Sequence, residues 1–309
     1  MDIDLVYLWV NGNDPAWIAK RNACIGKTSE ASVNCPGRYA DNDELKFSLR
    51  SVEKYAPWIR RIFIVTDHQV PEWLDTANSK IQIVDHTLIL PEQSLSCFNS
   101  VVIEHHLHLI PGLSEHFLYA NDDMYFNKPV TPADFFDKNN LPFVRLNYRL
   151  FRKTVLWFRT QVQGKKLSNY KRTIHNAALL VEQKYGKYYG SKTHHNIDAY
   201  RKSDFQYARQ LFDKEISATL SNHVRSENDI QRNLYSYVSL AEKRGHAVYV
   251  SQHTSFRLHI DNRRLYRKFL KYNPTFFCMN DSEFADDSDR KYAREFLCGY
   301  FPEKSQFEK

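Results

Sequence analysis

Short apolar runs alternate with helical stretches through the first half of the chain. The runs have the length of buried strands and end in polar or turn-forming residues. They are IDLVYLWV (3–10), RRIFIVTD (60–67), KIQIVDH (80–86) and FLYAN (117–121). Strands that alternate with helices are typical of βαβ units. The pattern therefore predicts an α/β fold with a Rossmann-like, mainly parallel sheet.

Two helices are predicted between these strands. DNDELKFSLRSVEKYAP places apolar residues at helical spacing, with Asp41 or Asp43 as the cap, and Pro57 ends it. FNSVVIEHHLHLIPG is the second helix, and it begins at Asn99 or Ser100.

The second half of the chain is predicted to be mostly helical. Helical spacing of apolar and charged residues is found at 169–184, 203–212, 228–243 and 286–300, with one strand near 246–251. We place a boundary near residue 150. Residues 1–150 would form a nucleotide-sugar-binding α/β core, and residues 151–309 a helical portion that packs on it and completes the active site. A single continuous domain is the alternative.

The net charge and the cysteine pattern limit the expected binding partners and cellular location. The formal net charge of +7 favours an anionic partner, such as a phosphorylated substrate or an acidic membrane face. Five cysteines without a C-x-x-C pair indicate neither a disulfide framework nor a structural zinc site. The N-terminal apolar run is short and acidic, unlike a signal peptide. We expect a cytoplasmic protein of unknown oligomeric state that can associate peripherally with the inner face of the plasma membrane.

Two adjacent carboxylates follow the strand that ends at Asn121. Asp122 and Asp123 lie where a parallel sheet binds its ligands, beyond the carboxyl ends of its strands. Carboxylate and amide oxygens are the ligands of Mg²⁺ and Mn²⁺, which are often shared with substrate phosphates. A solvated turn is the alternative reading of the same residues.

A second candidate is Glu104, which lies among apolar residues of the predicted second helix. A buried carboxylate is costly unless it has a partner, so Glu104 is a candidate base or ligand. His105, His106 and His108 lie close by, but the spacing does not form an H-E-x-x-H zinc motif, and histidine packing is the simpler explanation.

Several longer segments resemble the Stealth family of sugar-phosphate transferases. The resemblance is carried by IDLVYLWVNGNDPAW, by RYADNDELKFSLRSVEKYAPWIRRIFIVTDHQVPEWL and by FNSVVIEHHLHLIPGLSEHFLYANDDMYF. THHNIDAYRKSDF and HVRSENDIQRNLYSY are similar to the third and fourth family regions. The resemblance implies transfer of a hexose-1-phosphate from a nucleotide-sugar, with UDP as the expected nucleotide, to a hydroxyl of a glycan or polysaccharide. Capsule or cell-surface polysaccharide synthesis is the implied setting.

The resemblance also implies four catalytic residues: Glu104, Asp123, His195 and Arg225. Asp122 and Asp123 would hold Mg²⁺ or Mn²⁺, and the forked guanidinium of Arg225 would neutralise phosphate charge. His195 or Glu104 would accept the proton of the acceptor hydroxyl. The third family region usually reads His-x-Pro, whereas Asn196 and Ile197 follow His195 here, so His194 stays an alternative.

Polar residues near the first two elements are candidates for donor binding. They are Asn11, Gly12, Asp14, Arg38, Asp41, Asn42, Asp43 and Arg50. The arginines would contact phosphate, the acids would contact sugar hydroxyls, and Gly12 would let the backbone approach the nucleotide. A plain turn at Gly12 and helix capping by Asp41 or Asp43 are the alternatives.

Two other functions fit parts of the sequence. An ordinary metal-dependent glycosyltransferase would use the aspartates in the same way but would move the sugar alone. The second is a basic, aromatic-rich module that binds nucleic acid or polysaccharide, and it is not expected, because the basic residues are scattered and no recognition motif is present.

Overall fold

The computed structural model describes residues 1–25, 41–149, 151–282 and 284–309. Its centre is a five-stranded sheet in the order β3-β2-β1-β4-β7. Its strands are β1 (Ile3–Leu8), β2 (Ile62–Thr66), β3 (Ile81–Asp85), β4 (His116–Asn121) and β7 (Asp198–Arg201). All neighbours are parallel except β7, which runs antiparallel to β4. The predicted α/β class and mainly parallel sheet are confirmed.

Both faces of this sheet are buried. Successive side chains of a strand point to opposite faces, so neighbouring residues enter different cores. Val6 and Phe63 belong to the core on one face, and Leu5 and Ile62 to the core on the other. This two-sided burial explains why the strands read as continuous apolar runs rather than as alternating ones.

Helices cover the two faces. Those of the first half are α1 (Pro15–Ile25), α2 (Glu44–Tyr55) and α3 (Ser100–Glu104). Those of the second half are α4 (Arg152–Trp157), α5 (Asn169–Tyr185), α6 (Lys202–Leu211), α7 (Asp213–Ser217), α8 (Asn233–Ala241), α9 (Arg263–Tyr272) and α10 (Asp287–Tyr300). The predicted second helix is shorter than expected, because α3 ends at Glu104 and a separate 3₁₀ turn follows at Leu107–Leu109.

The second half contains more strands than the sequence predicts. Besides the expected strand β8 (His246–Tyr249), it supplies β7, β9 (Ser255–His259) and β10 (Phe276–Asn280). A second sheet has the order β5-β10-β9, where β5 is Met124–Phe126, and β8 pairs with β6 (Phe143–Leu146). Short strands of this kind obtain their partners from distant segments, and local periodicity cannot indicate those partners.

Strands of the second half of the chain pair with strands of the first half next to the two aspartates. β7 extends the sheet built from the first half, and β10 pairs antiparallel with β5, which directly follows the two aspartates. The second half thereby reaches the carboxyl end of β4. Within the part of the chain that the structure describes, no helix has the length and apolar character needed to cross a membrane.

Candidate active site

The tight turn between β4 and β5 presents Asp122 and Asp123. The Asp122 Oδ1 atom accepts a hydrogen bond from the Asp123 backbone N–H at 3.1 Å. The Asp123 carbonyl accepts from the Met279 N–H at 2.9 Å, which fixes β10 beside the turn. This pairing brings Cys278 and Asn280 into contact with the Asp123 side chain.

The two oxygens of Asp123 have different surroundings. Oδ2 accepts from the Asn280 Nδ2 at 2.9 Å and from the Cys278 thiol at 3.1 Å. Oδ1 is shielded from solvent and has no hydrogen-bond partner among the described residues. A buried carboxylate oxygen without a partner is costly, and a bound cation would remove that cost.

Burial destabilises the charge on both aspartates. Burial, together with the neighbouring Asp123 carboxylate, holds the pKa of Asp122 well above its ordinary value. Burial raises the pKa of Asp123 as well, against the hydrogen bond from Cys278. Ligand atoms of Asp123, His195 and Cys278 all lie within 4.8 Å of one another. The turn is therefore a candidate cation site with a carboxylate, an imidazole and a thiol at hand.

His195 and His194 have different partners. The Nε2 atom of His195 lies 3.3 Å from the Asn280 amide nitrogen. Burial and the cation of Arg257 hold the pKa of His195 well below its ordinary value, so the ring is neutral at neutral pH. His194 is fully buried, and its Nε2 lies 3.2 Å from the Ile197 carbonyl oxygen. Both histidines line the cavity described below, but His195 lies beside Asp123, whereas His194 is bound to its own loop.

Glu104 ends α3 with its carboxylate buried at the same cavity. Its Oε1 accepts from the Tyr119 hydroxyl at 2.9 Å, whereas Oε2 has no partner among the described residues. Burial raises the pKa of Glu104, and the nearby Arg232 cation opposes that shift. A carboxylate with a raised pKa and an oxygen without a partner is a candidate proton acceptor.

Arg225 belongs to a polar loop that Asp229 holds in place. Asp229 accepts from the Ser226 N–H at 2.9 Å and from the Asn222 side chain at 2.7 Å. The Arg225 Nη2 donates to the Ser100 Oγ at 2.9 Å, which brings the guanidinium over the start of α3. Arg225 therefore reaches the same cavity as Glu104 although the two lie far apart in sequence.

These side chains line a cavity of about 430 Å³. It contains all four predicted catalytic residues as well as Asp122. Sequence reasoning missed several other lining residues, which are Tyr170, Arg232, Arg257, Asn280 and Asp281. Asn280 and Asp281 follow an apolar run, FFCM, in the same way as Asn121 and Asp122 follow FLYA, so a strand-end signal was present for them. We find no comparable signal for Arg257.

Two family models match the chain. Stealth protein CR1, conserved region 1, matches residues 1–29, and Stealth protein CR2, conserved region 2, matches residues 38–144. The capsular polysaccharide phosphotransferase LcbA of Aeromonas hydrophila is 33% identical over 97% of this chain and 84% of its own length. The chain belongs to the Stealth family. A capsular polysaccharide phosphotransferase of Neisseria meningitidis serogroup B is also similar, with 31% identity over 97% of this chain and 82% of its own length.

Other Stealth relatives are longer than this chain. An exopolysaccharide phosphotransferase of Streptomyces coelicolor is 36% identical over 99% of the chain, which spans 52% of that protein. Among solved structures, the galactosyltransferase LgtC, in complex with donor and acceptor sugar analogs, has 11% sequence identity and a TM-score of 0.48 over 97% of the chain.

The predicted donor-binding residues that the structure describes do not line the cavity of this Stealth chain. Asn11 and Asp14 are joined through Gln69, whose Nε2 donates to the Asp14 Oδ2 at 2.9 Å. Gly12 lies in the same turn. Asn42 lies just before α2, and its side chain donates a hydrogen bond to Glu44, the first residue of that helix, at 2.8 Å. Arg38 lies outside the described residues.

Asp41 lies near the aspartate turn, and neither Asp41 nor Asp43 lines the cavity. Burial raises the pKa of Asp41, and the negative charge of Asp41 in turn contributes to the raised pKa of Asp122. Asp43 precedes α2 but its side chain makes no capping bond there, so the predicted cap is not formed by Asp43. Asp43 instead lies 3.4 Å from the Lys46 ammonium.

Arg50 is bound to the C-terminal segment. Its Nε and Nη2 donate to the two carboxylate oxygens of Glu308 at 2.8 and 2.7 Å, and Nη1 donates to the Phe301 carbonyl at 2.8 Å. The Glu308 side chain is only 3% exposed. This fork is satisfied by protein groups, which favours a structural role.

We expect Arg50→Ala to lower the free energy of unfolding by about 3 kcal/mol, because it leaves a buried carboxylate without its cation. Urea unfolding would measure the change, and Arg264→Ala at an exposed position is the control. If the stability were unchanged and the KM for the donor were raised, Arg50 would instead be assigned to donor binding.

The three histidines after Glu104 pack inside the protein. The His105 Nδ1 lies 2.7 Å from the Tyr235 hydroxyl, and the His106 Nδ1 lies 2.9 Å from the Val102 carbonyl. His108 packs against Phe205. Burial lowers the pKa of His105 to about 3 and that of His108 to about 4.

These lowered pKa values predict a loss of stability in mild acid. Below about pH 6.5 these histidines bind protons in the unfolded chain but stay neutral in the folded protein. The free energy of unfolding is therefore highest above that pH with respect to these groups and falls as the pH drops. His108→Leu removes one such group. Between about pH 7.5 and about pH 5.5, we expect the variant to lose about 1 kcal/mol less stability than the wild type. Urea unfolding at both pH values would test this, and equal losses would contradict it.

Proposed function

We propose that this Stealth chain transfers a hexose-1-phosphate from a UDP-sugar to a glycan hydroxyl, forming a phosphodiester in the synthesis of capsular or other cell-surface polysaccharide. The observation that carries the proposal is the meeting of Glu104, Asp123, His195 and Arg225 in one cavity. They come from four separate segments, and the cavity offers both carboxylates and cations. The names of the similar proteins as polysaccharide phosphotransferases support the same reaction class.

The donor diphosphate requires positive charge at the reacting phosphorus. Phosphoryl transfer is catalysed mainly by positioning and by neutralising charge on the phosphate oxygens. Arg225 can offer parallel N–H donors to two phosphate oxygens, a geometry that lysine cannot reproduce. The cations of Arg232 and Arg257 line the same cavity and add to its positive field.

A divalent cation fits the aspartate turn. Asp123 would bind it through Oδ1, the buried oxygen without a partner, and Asp122 would contribute a second carboxylate. Mg²⁺ or Mn²⁺ bound there supplies charge neutralisation on the diphosphate. Asn280 and Cys278 meanwhile orient the Asp123 carboxylate by donating to its other oxygen.

The acceptor hydroxyl must lose its proton as it attacks phosphorus. His195 is suited to accept it, because its ring is neutral and lines the cavity beside Asp123. Glu104, which is held by the Tyr119 hydroxyl, can orient the acceptor or share the proton. The proton moves from the acceptor oxygen to His195 as the bond between phosphorus and the nucleotide breaks.

Product analysis tests the proposal. The purified chain would be incubated with UDP-sugars, Mg²⁺ or Mn²⁺ and candidate oligosaccharides, and the products would be separated and weighed by mass spectrometry. Transfer of a hexose-1-phosphate adds the mass of hexose plus phosphate to the acceptor and releases uridine monophosphate.

A glycosyltransferase would give a different result. Transfer of the sugar alone adds only the hexose mass and releases uridine diphosphate. Release of the diphosphate with a glycosidic product would overturn the proposed reaction, and the Asp123→Asn variant controls for contaminating activity.

A further inference from the structure

The surplus of positive charge is concentrated in one part of the chain. Residues 138–181 contain ten Lys and Arg residues and no Asp or Glu, whereas the whole chain has a net charge of only +7. The exposed cations of this segment include Arg149, Arg159, Lys165 and Lys166. A run of this kind attracts an anionic surface or polymer.

The same segment exposes a stripe of large apolar side chains. Phe151 directly precedes α4, Val155 lies in α4, and Phe158 and Val162 are the first and last residues of the π-helical turn (Phe158–Val162) that continues it. They are 77%, 39%, 46% and 57% exposed. Trp157 beside them is 59% exposed. An apolar helix side normally faces a core, so its exposure to water marks an interaction surface.

This surface, which we call the basic apolar patch (residues 149–166 without residue 150), is held on the folded body. Leu156 is buried, and the Lys153 ammonium lies 2.6 Å from the carboxylate of Glu182 on α5. α5 begins at Asn169, shortly after the patch, and its first turn gives Asn169 and Tyr170 to the cavity lining. The patch is therefore connected to the cavity lining by a short piece of chain, residues 167–168.

We propose that the basic apolar patch docks the protein peripherally on a membrane that contains anionic phospholipid. Aromatic and aliphatic side chains enter the boundary between headgroups and acyl chains, while lysine and arginine pair with lipid phosphates. A soluble polyanion would match the cations but would leave the apolar stripe in water. The combination of charge and exposed Trp and Phe thus favours a lipid surface over a free polymer. The inference does not depend on the proposed reaction.

Vesicle binding tests the proposal with the full chain. We expect the protein to sediment with vesicles of phosphatidylcholine and phosphatidylglycerol, more weakly with phosphatidylcholine alone, and less at high salt. Trp157 is more exposed than the other four tryptophans, so its fluorescence should shift to the blue when mixed vesicles are added. No binding to the mixed vesicles would overturn the proposal.

A pair of variants locates the docking surface. Trp157→Ser combined with Phe158→Ser should weaken vesicle binding by about tenfold or more, because two apolar side chains no longer leave water. The matched control is Phe284→Ser, which changes another exposed aromatic residue and should bind as the wild type does. Trp157→Phe should keep binding but lose the blue shift.

The opposite outcomes are also informative. Equal binding by the double variant would contradict docking through this patch, as would binding to soluble anionic polysaccharide with no response to vesicles. Thermal unfolding of each variant checks the fold, and the substituted side chains are exposed. Failure of phosphodiester synthesis would refute the proposed reaction but would leave this result unaffected.

Discussion

Asp123→Asn should reduce sugar-phosphate transfer by about a thousandfold or more, since it removes the charge that holds a cation against the donor diphosphate. The substitution keeps the side-chain volume. It also lets an amide oxygen replace Oδ2 as the acceptor for Asn280 and Cys278, which now donate to it at 2.9 and 3.1 Å. We therefore expect the fold to be retained. Transfer would be measured at saturating and limiting donor concentrations, together with the thermal midpoint of the variant.

Removal of the cation should reproduce this effect in the wild type. Excess EDTA should abolish transfer, and added Mg²⁺ or Mn²⁺ should restore it. Asp123→Asn should respond little to either treatment, because its residual activity no longer depends on a tightly held ion. Full turnover in EDTA, or full activity of the variant, would exclude a catalytic metal at this turn.

His195→Ala should lower kcat by about a hundredfold or more, the usual contribution of a general base. His195 lies beside Asn280 and Asp123 in the cavity, and its ring is held neutral by burial. Transfer to the glycan acceptor would be measured with the donor saturating. A base leaves no covalent trace, so mass spectrometry of protein quenched without acceptor should show no added sugar phosphate. Such an adduct on His195 would identify a nucleophile instead.

His194→Gln is the matched control. His194 is buried against the Ile197 carbonyl and lies 3.3 Å from the Asp198 carboxylate, so its loss should reduce stability more than activity. We expect activity per folded molecule to stay within a few fold of the wild type. The reverse result, with His194→Gln inactive and His195→Ala active, would shift the catalytic assignment by one residue.

Local sequence patterns were sufficient to predict much of the fold. The central strands were predicted because burial on both faces demands unbroken apolar runs, as at Ile62–Thr66. α5 and α10 were predicted within two residues, because each has long amphipathic spacing. The missed strand β9 has five residues, and tertiary partners decide the conformation of so short a segment. The helix α9 was missed although local signals for it are present, because Asn262 caps its first turn and the buried residues Tyr266 and Phe269 lie at helical spacing.

Some residues of the candidate site could likewise be selected from the sequence, whereas others could be assigned only from the structure. Strand-end logic and family resemblance were enough to select Glu104, Asp123, His195 and Arg225, and the structure brings these four together. The same reasoning also selected Arg50, but in the structure its guanidinium binds the carboxylate of Glu308. An arginine has the same local sequence signature whether its partner is a phosphate or a carboxylate far along the chain, so pattern alone could not separate the two.

By itself, the sequence determined the α/β class, the positions of the main strands along the chain and the residue types available for phosphoryl transfer, because burial and turn chemistry act between near neighbours. Only the tertiary structure decided which groups surround Asp123. β10 lies far from β5 in sequence, and their pairing brings Asn280 and Cys278 onto one oxygen of that carboxylate and leaves the other without a partner. That arrangement depends on strand register between distant segments, which hydrogen bonds across the fold set and no local pattern records.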